Sequence, residues 1–172
     1  MANKTITIDL SVGSIQRAIK SLEDYKKSIE RRMQNLIDMM CSDGASLAYT
    51  YLKYVDTGET LGSIMGYREG NKGIIEVGGN AIWIEFGTGV TYNQGGDSAH
   101  PDRSELGISD WGTYGEGHGT DPDGWYYYDA QGKKKHTYGI PENPFMAQTA
   151  RRLQEQFKSR AQGAFLRLGD TK

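Results

Sequence analysis

The tripeptide Asp56-Thr57-Gly58 is the first feature of this sequence that could do chemistry. Two such loops can hold a pair of carboxylates that share a proton and activate water. That chemistry needs the Asp between apolar strands of an all-β chain, whereas here a helical pattern leads into the tripeptide. A turn between a helix and the next element, in which the Asp side chain accepts hydrogen bonds from backbone N–H groups, is therefore the favoured interpretation.

A second candidate is a group of carboxylates and imidazoles that could bind a divalent cation. Its members are Asp97, His100, Asp102, Asp110, His118 and Asp121. They include no pair of His at helical spacing and no spaced Cys, which are the usual signatures of a protein metal site. We therefore expect no metal and no cofactor, and keep as an alternative a small hydrolase that uses the loop 97–123.

Cys41 and the aromatic residues complete the chemical inventory. Cys41 has no neighbouring His in sequence, so a small buried side chain is favoured over a nucleophile. The run Tyr126-Tyr127-Tyr128 should alternate, with half of it in the core. Stacking of such rings on single-stranded nucleic acid needs interleaved basic residues, and this region is acidic apart from Lys133–Lys135. An exposed run could instead bind a carbohydrate or peptide.

Composition limits the class of protein. The chain has 172 residues, a formal net charge of -2 and a single Cys. These values predict one domain over residues 1–172, without an internal disulfide, and argue against a dedicated nucleic-acid coat protein. The first residues have no apolar segment typical of a signal peptide, and no apolar run approaches a membrane span of about 20 residues. We expect a protein made in the cytoplasm, without membrane contact.

Two long helices should frame the fold. Between Ile15 and Met40 an apolar residue recurs every seven positions, which predicts a long helix with one apolar stripe. This stripe should pack on a sheet or on a neighbouring subunit. Gly44 should stop or kink the helix, and a second helix should run from Ala45 to about Lys53. Asn143-Pro144 predicts the start of the final helix, with Asn as its cap.

The intervening segments predict strands. Alternation indicates a strand at Lys4–Leu10, and an antiparallel meander of three strands at Leu61–Tyr67, Ile74–Val77 and Ala81–Phe86. A long Gly-rich insertion at about 89–142 should end in a hairpin whose strands are Trp125–Asp129 and Lys133–Ile140. The predicted class is α+β, with a β-meander sheet packed against a long N-terminal helix and a C-terminal helix.

Three motifs, in this order, resemble the neck and tail-completion (tail-component) proteins of long-tailed bacteriophages of the siphophage type. They are Asp56-Thr57-Gly58 followed by Leu61-Gly62-Ser63-Ile64, the segment Ala81–Thr88 with its Glu-Phe-Gly-Thr end, and Asn143-Pro144-Phe145-Met146-Ala147. The likeness covers about residues 13–88 and 140–168. Two residues intervene between Gly58 and Leu61, where the family usually has one, and the insertion is longer than in that family.

The resemblance implies a structural subunit without catalytic activity. Such proteins form rings, typically of six copies, at the virion head–tail junction, where they contact neighbouring neck, head-completion or tail-tube proteins and DNA passes as cargo. A tail terminator of the same junction is the alternative. The residues implied at a subunit or partner interface are Asp56, Thr57, Gly58, Glu85, Phe86, Gly87, Thr88, Pro144, Phe145 and Met146. We expect Glu85 to meet a backbone N–H or a basic side chain across a subunit boundary.

Overall fold

A computed structural model describes Thr7, Asp9 and residues 11–53, 58–88, 100, 105, 121, 123–129 and 131–166. Its elements, in chain order, are α1 (Val12–Tyr51), α2 (Glu59–Gly62), β1 (Met65–Glu69), β2 (Lys72–Glu76), α3 (Ala81–Phe86), β3 (Trp125–Tyr128), β4 (Lys134–Thr137) and α4 (Phe145–Leu166). The α+β class is confirmed. Of the strand predicted at Lys4–Leu10, only Thr7 and Asp9 are described.

The chain divides into two compact units. The first comprises residues 1–43, 66–74 and 152–172, and the second comprises 44–65 and 75–151.

Helix α1 is longer than the sequence predicts. It runs unbroken for 40 residues, or about 60 Å, so the predicted stop at Gly44 and the separate helix from Ala45 are wrong. One Gly inside a helix costs about 1 kcal/mol relative to Ala. Burial of a side chain such as Leu52, which is 7% exposed, stabilises by roughly 1.5–3 kcal/mol and outweighs that cost. At the start of α1, Ser11 Oγ accepts a hydrogen bond from the Ser14 N–H at 3.2 Å.

In the first unit, α1 contacts the C-terminal half of α4 through basic side chains. Arg160 lies 2.7 Å from the Asp43 carboxylate, and Arg32 Nη1 donates to the Ala164 carbonyl at 3.0 Å. Cys41 is 3% exposed, and its Sγ donates to the Tyr67 carbonyl at 3.1 Å. The prediction of a small buried side chain at Cys41 is therefore confirmed.

The seven-residue stripe of α1 is only partly covered. Leu36 is buried, but toward the start of the helix Ile15, Ile19 and Leu22 are 43%, 53% and 57% exposed. Ala18, beside the stripe, is 8% exposed. Among the described residues, the early part of the stripe is thus an exposed apolar surface.

The predicted three-stranded meander is wrong. β1 pairs with β2, but Glu59–Gly62 and Ala81–Phe86 are short helices, so the described residues form two separate two-stranded sheets. Five of the six residues of Ala81–Phe86 are apolar, and so short an apolar run fits either a strand or a buried helix, which makes α3 ambiguous from sequence. Ile84, Glu85 and Phe86 are all buried, which a strand with one solvent face cannot provide.

The predicted hairpin at the end of the insertion is confirmed. β3 and β4 are antiparallel, with Trp125 opposite Thr137 and Tyr128 opposite Lys134. Tyr126, Tyr127 and Tyr128 are nevertheless all exposed, so the expectation that half of this run is core is wrong. A two-stranded ribbon has no buried face of its own, and alternation separates its two faces without burying either.

The core of the second unit gathers residues that are distant in sequence. One buried cluster is formed by Ala48 of α1, Leu52 just after α1, Ile84 of α3 and Phe145 of α4. Phe145 and Ala48 are fully buried. This cluster brings the ends of α3 and α1 to the start of α4, where the predicted motif residues lie.

Candidate functional site

A buried carboxylate joins two of the three motifs. Glu85, near the end of α3, is 6% exposed. Its Oε2 accepts a hydrogen bond from the Met146 N–H at 2.8 Å, and its Oε1 accepts one from the Ala147 N–H at 2.9 Å. These are the second and third residues of α4, whose N–H groups have no partner within the helix. Glu85 therefore caps α4 from 61 residues away along the chain.

The charge of Glu85 suits this position. The N-terminus of a helix carries partial positive charge from its aligned peptide dipoles and free N–H groups. A carboxylate placed there gains both charge attraction and hydrogen bonds. Because the side chain is only 8% exposed, water screens this attraction little. We call Glu85, His100, Asn143 and the first turn of α4 the Glu85 junction.

The expectation that Asn143 caps α4 is wrong. Asn143 is 2% exposed, and its Oδ1 accepts from the Lys53 N–H at 2.7 Å, just beyond the end of α1. Its own N–H donates to the Ile84 carbonyl at 2.8 Å. The Pro144 carbonyl accepts the first helical bond, from Gln148, so Pro144 precedes the helix and offers no side-chain acceptor. Glu85 fills that role, and Asn143 connects α1 to α3.

His100 completes the junction. Its Nε2 lies 3.0 Å from Glu85 Oε1, its side chain is 3% exposed, and its ring centroid is 4.2 Å from that of Phe86. An ionised carboxylate only accepts, so Nε2 carries the proton in this contact. His100 belongs to the long insertion, so this contact fixes one point of the insertion to the scaffold.

The arrangement does not resemble a metal site within the described part of the chain. Among those residues no group of three or more potential His, Cys, Asp or Glu ligands occurs. His100 bonds to Glu85, and Asp121 is exposed with its Oδ1 accepting from the Asp123 N–H. The candidates Asp97, Asp102, Asp110 and His118 lie outside the described residues.

Gly87 and Thr88 follow α3 along the chain and lead into the insertion. Gly87 is buried with φ 71°, a region that residues with a Cβ resist. Thr88 and Ile140 then form an antiparallel bridge, with N–O distances of 2.9 and 3.1 Å. The bridge closes the base of the insertion. Gly58, at the start of α2, also has a positive φ, of 81°.

The structure brings together some of the predicted motif residues and not others. The structure brings the segment Glu85–Thr88 to the segment Pro144–Met146, while Gly58 precedes α2. Asp56 and Thr57 lie outside the described residues. The expectation that the partner of Glu85 lies across a subunit boundary is wrong, because both N–H donors belong to the same chain. The sequence carried no signal for the pairing of Asn143 with Lys53.

Comparison with known proteins adds no assignment to this geometry. No helix in the described ranges is both long enough and apolar enough to cross a bilayer. No family model, curated protein sequence or solved structure matches the chain.

Proposed function

We propose that this protein is a structural subunit of a bacteriophage head–tail junction, a neck or tail-completion protein that assembles as a ring around the DNA channel. The observation that carries the proposal is the bonding of Glu85 to the N–H groups of Met146 and Ala147. Two motifs of the resemblance are thereby parts of one physical junction. If the two motifs belong to a shared scaffold, they should be in contact in the folded chain, whereas two chance sequence matches need not meet in space.

The exposed stripe of α1 supports self-assembly. Ile15, Ile19 and Leu22 form a continuous apolar strip on one helix face, and contiguous apolar surface of this kind marks interaction sites. A second copy can cover it. When the covering surface differs from the covered one, the contact repeats from copy to copy and closes into a ring if the rotation permits.

The proposed role is positional and not catalytic. Both oxygens of the Glu85 carboxylate bind backbone N–H groups, and His100 occupies the remaining approach to Oε1. The residues of the junction therefore hold α3, α4 and the insertion in place. A tail terminator would use the same scaffold at another level of the junction.

The test is the mass and shape of the purified protein. Mass photometry and negative-stain microscopy should show a ring of several 19.1 kDa subunits with a central hole. Leu22→Lys should shift the distribution toward smaller species, because it places a charge in the apolar contact. Gln34→Lys, which adds the same charge at an exposed position away from the stripe, should leave the ring intact. A single 19.1 kDa species at every concentration tested would contradict the proposal.

A further inference from the structure

The β3–β4 hairpin interleaves aromatic and basic side chains that are separate in the sequence. Its register places Tyr126 opposite His136 and Tyr128 opposite Lys134. Residues opposite each other in an antiparallel pair share a face, and residues two apart along a strand share it too. Tyr126, Tyr128, Lys134 and His136 therefore form one face, which we call the tyrosine–lysine face.

The contacts within the tyrosine–lysine face are close. Lys134 Nζ lies 4.2 Å from the centroid of the Tyr126 ring, and the His136 ring packs edge-on at 4.8 Å from the same ring. Tyr138 extends the cluster, with its ring 4.8 Å from that of His136. Tyr126 and Tyr128 are still 63% and 70% exposed, so most of their surface faces solvent.

The next lysine along β4, Lys135, lies on the opposite face of the hairpin, where it pairs with an acidic residue. Lys135 Nζ lies 3.1 Å from the Asp129 carboxylate, and its register partner is Tyr127. The ion pair neutralises Lys135 locally, whereas Lys134 has an aromatic ring as its neighbour. Lys134 Nζ therefore lies beside rings that offer flat apolar surface, where it can contact an anion such as a phosphate.

We propose that the tyrosine–lysine face binds single-stranded nucleic acid. Exposed rings that stack on unpaired bases, next to a cation that contacts phosphate, are the combination used by proteins that bind single strands without sequence preference. Tyr126 and Tyr128 are two residues apart on one strand, a spacing of about 7 Å, or about twice the rise per nucleotide of a stacked strand. The two rings therefore match successive unstacked bases.

A single strand fits this face better than a duplex does. The bases of a duplex are stacked on each other, so they offer no free faces to a tyrosine ring, and only phosphate contacts would remain. Tyr126 and Tyr128 are both more than 60% exposed, and contacts to phosphate alone would leave most of this ring surface unused. This inference does not depend on the proposed function, because it concerns one hairpin and makes no use of a ring.

The test is fluorescence anisotropy with a labelled oligothymidylate of about 20 nucleotides, longer than the roughly 4–16 nucleotides that single binding domains occupy. At low salt the wild-type protein should bind it. Tyr128→Ala should weaken binding by about 5-fold to about 150-fold, the range for loss of one stacked base. Tyr127→Ala, on the opposite face of the same strand, is the matched control and should leave the affinity unchanged.

The lysines provide a second matched pair. Lys134→Gln and Lys135→Gln remove the same charge from adjacent positions, but only Lys134 belongs to the tyrosine–lysine face. The logarithmic salt dependence of binding should become shallower by about 0.7 for Lys134→Gln, the value for one lost phosphate contact on a single strand. It should not change for Lys135→Gln.

Three results would overturn the proposal. They are no binding of the oligothymidylate at low salt, equal loss of affinity for the two members of either pair, and binding of an abasic strand or a duplex as tightly as the oligothymidylate. Near-ultraviolet circular dichroism checks that each variant folds. The anisotropy measurement gives its answer whether the protein is a ring or a monomer, so failure here and failure of the ring proposal remain distinguishable.

Discussion

Glu85→Gln should destabilise the protein strongly for a substitution that changes so little volume. Gln keeps one oxygen that can accept from Met146 or Ala147, but its amide nitrogen then faces the other N–H group. A donor opposes a donor, so one N–H at the start of α4 loses its partner in a buried place. The negative charge at the positive end of α4 is lost at the same time.

The magnitude follows from these two effects. An unsatisfied buried donor costs about 1–3 kcal/mol. Loss of a charge at a helix N-terminus costs about 0.3–1 kcal/mol when exposed and up to ~2 kcal/mol when partly buried. Because the Glu85 side chain is 8% exposed, the upper part of that range, about 1–2 kcal/mol, applies, and we expect a decrease of about 2–5 kcal/mol in the free energy of unfolding. In a chain of this size that corresponds to a melting temperature lower by roughly 4–20 °C.

The assay is urea unfolding followed by circular dichroism and tryptophan fluorescence, with thermal melts in parallel. Glu69→Gln is the matched control, since it makes the same chemical change at an exposed position in β1. Substitutions at such positions usually change stability by about 0.5 kcal/mol or less. The difference between the two variants should persist at high salt, because the junction is buried and salt screens only exposed charges.

Equal stability of Glu85→Gln and Glu69→Gln would refute this reasoning. It would mean that the α4 N–H groups find other acceptors when the carboxylate is removed. If Glu85→Gln lowers stability but the loss shrinks at high salt, as it would for a surface charge, the contact of Glu85 with α4 is supported. The argument that burial protects this contact from screening would then be refuted.

Three other perturbations test neighbouring features. His100→Ala should lower the free energy of unfolding by about 1–3 kcal/mol. A double-mutant cycle with Glu85→Gln should give a coupling energy of at least about 0.5 kcal/mol, because the two side chains are in contact. Additive effects of the two substitutions would rule out a direct contact. A Cβ on Gly73 would lie 2.8 Å from Cys41 Sγ, so Gly73→Ala should lower the free energy of unfolding in urea by about 1–3 kcal/mol. Adding Cys41→Ala should restore part of that loss. No restoration would mean that the two residues are not in contact. A hydrogen bond from the Lys133 N–H, and after it the contact with the Lys135 side chain, lower the pKa of Asp129 below its ordinary value. The wild-type protein should therefore be more stable than Asp129→Asn at neutral pH. This difference in the free energy of unfolding should disappear as the pH falls through the lowered pKa. A stability gap between these two proteins that does not narrow in acid would contradict the last expectation.

Elements defined by local pattern were predictable from the sequence. The long periodic stripe predicts most of α1, and the Gly-containing turn between two β-type runs predicts the β3–β4 hairpin. Each of these signals lies within a few residues of the structure it specifies. The continuation of α1 through Gly44 was not predictable in this way, because burial of side chains beyond it decides the outcome.

The Glu85 junction could be predicted only in part. A charged residue in an apolar segment signals that a partner exists, and a backbone N–H was one of the expected partners. The identity of that partner depends on the meeting of α3 with α4, which are far apart in sequence. Asn143 shows the same limit, since its sequence context predicts a helix cap and its actual partner is Lys53, 90 residues away.

The bridge between Thr88 and Ile140 explains why scaffold and insertion can be tested separately. It brings together the two ends of the insertion, next to the carboxylate that caps α4. Among the described residues between these ends, His100 bonds to Glu85, and the strands of the hairpin pair with each other. Substitutions on the tyrosine–lysine face should therefore leave the junction intact, while Glu85→Gln should destabilise the scaffold that presents the hairpin. A binding defect without a stability defect points to the hairpin, and the combination of both points to the junction.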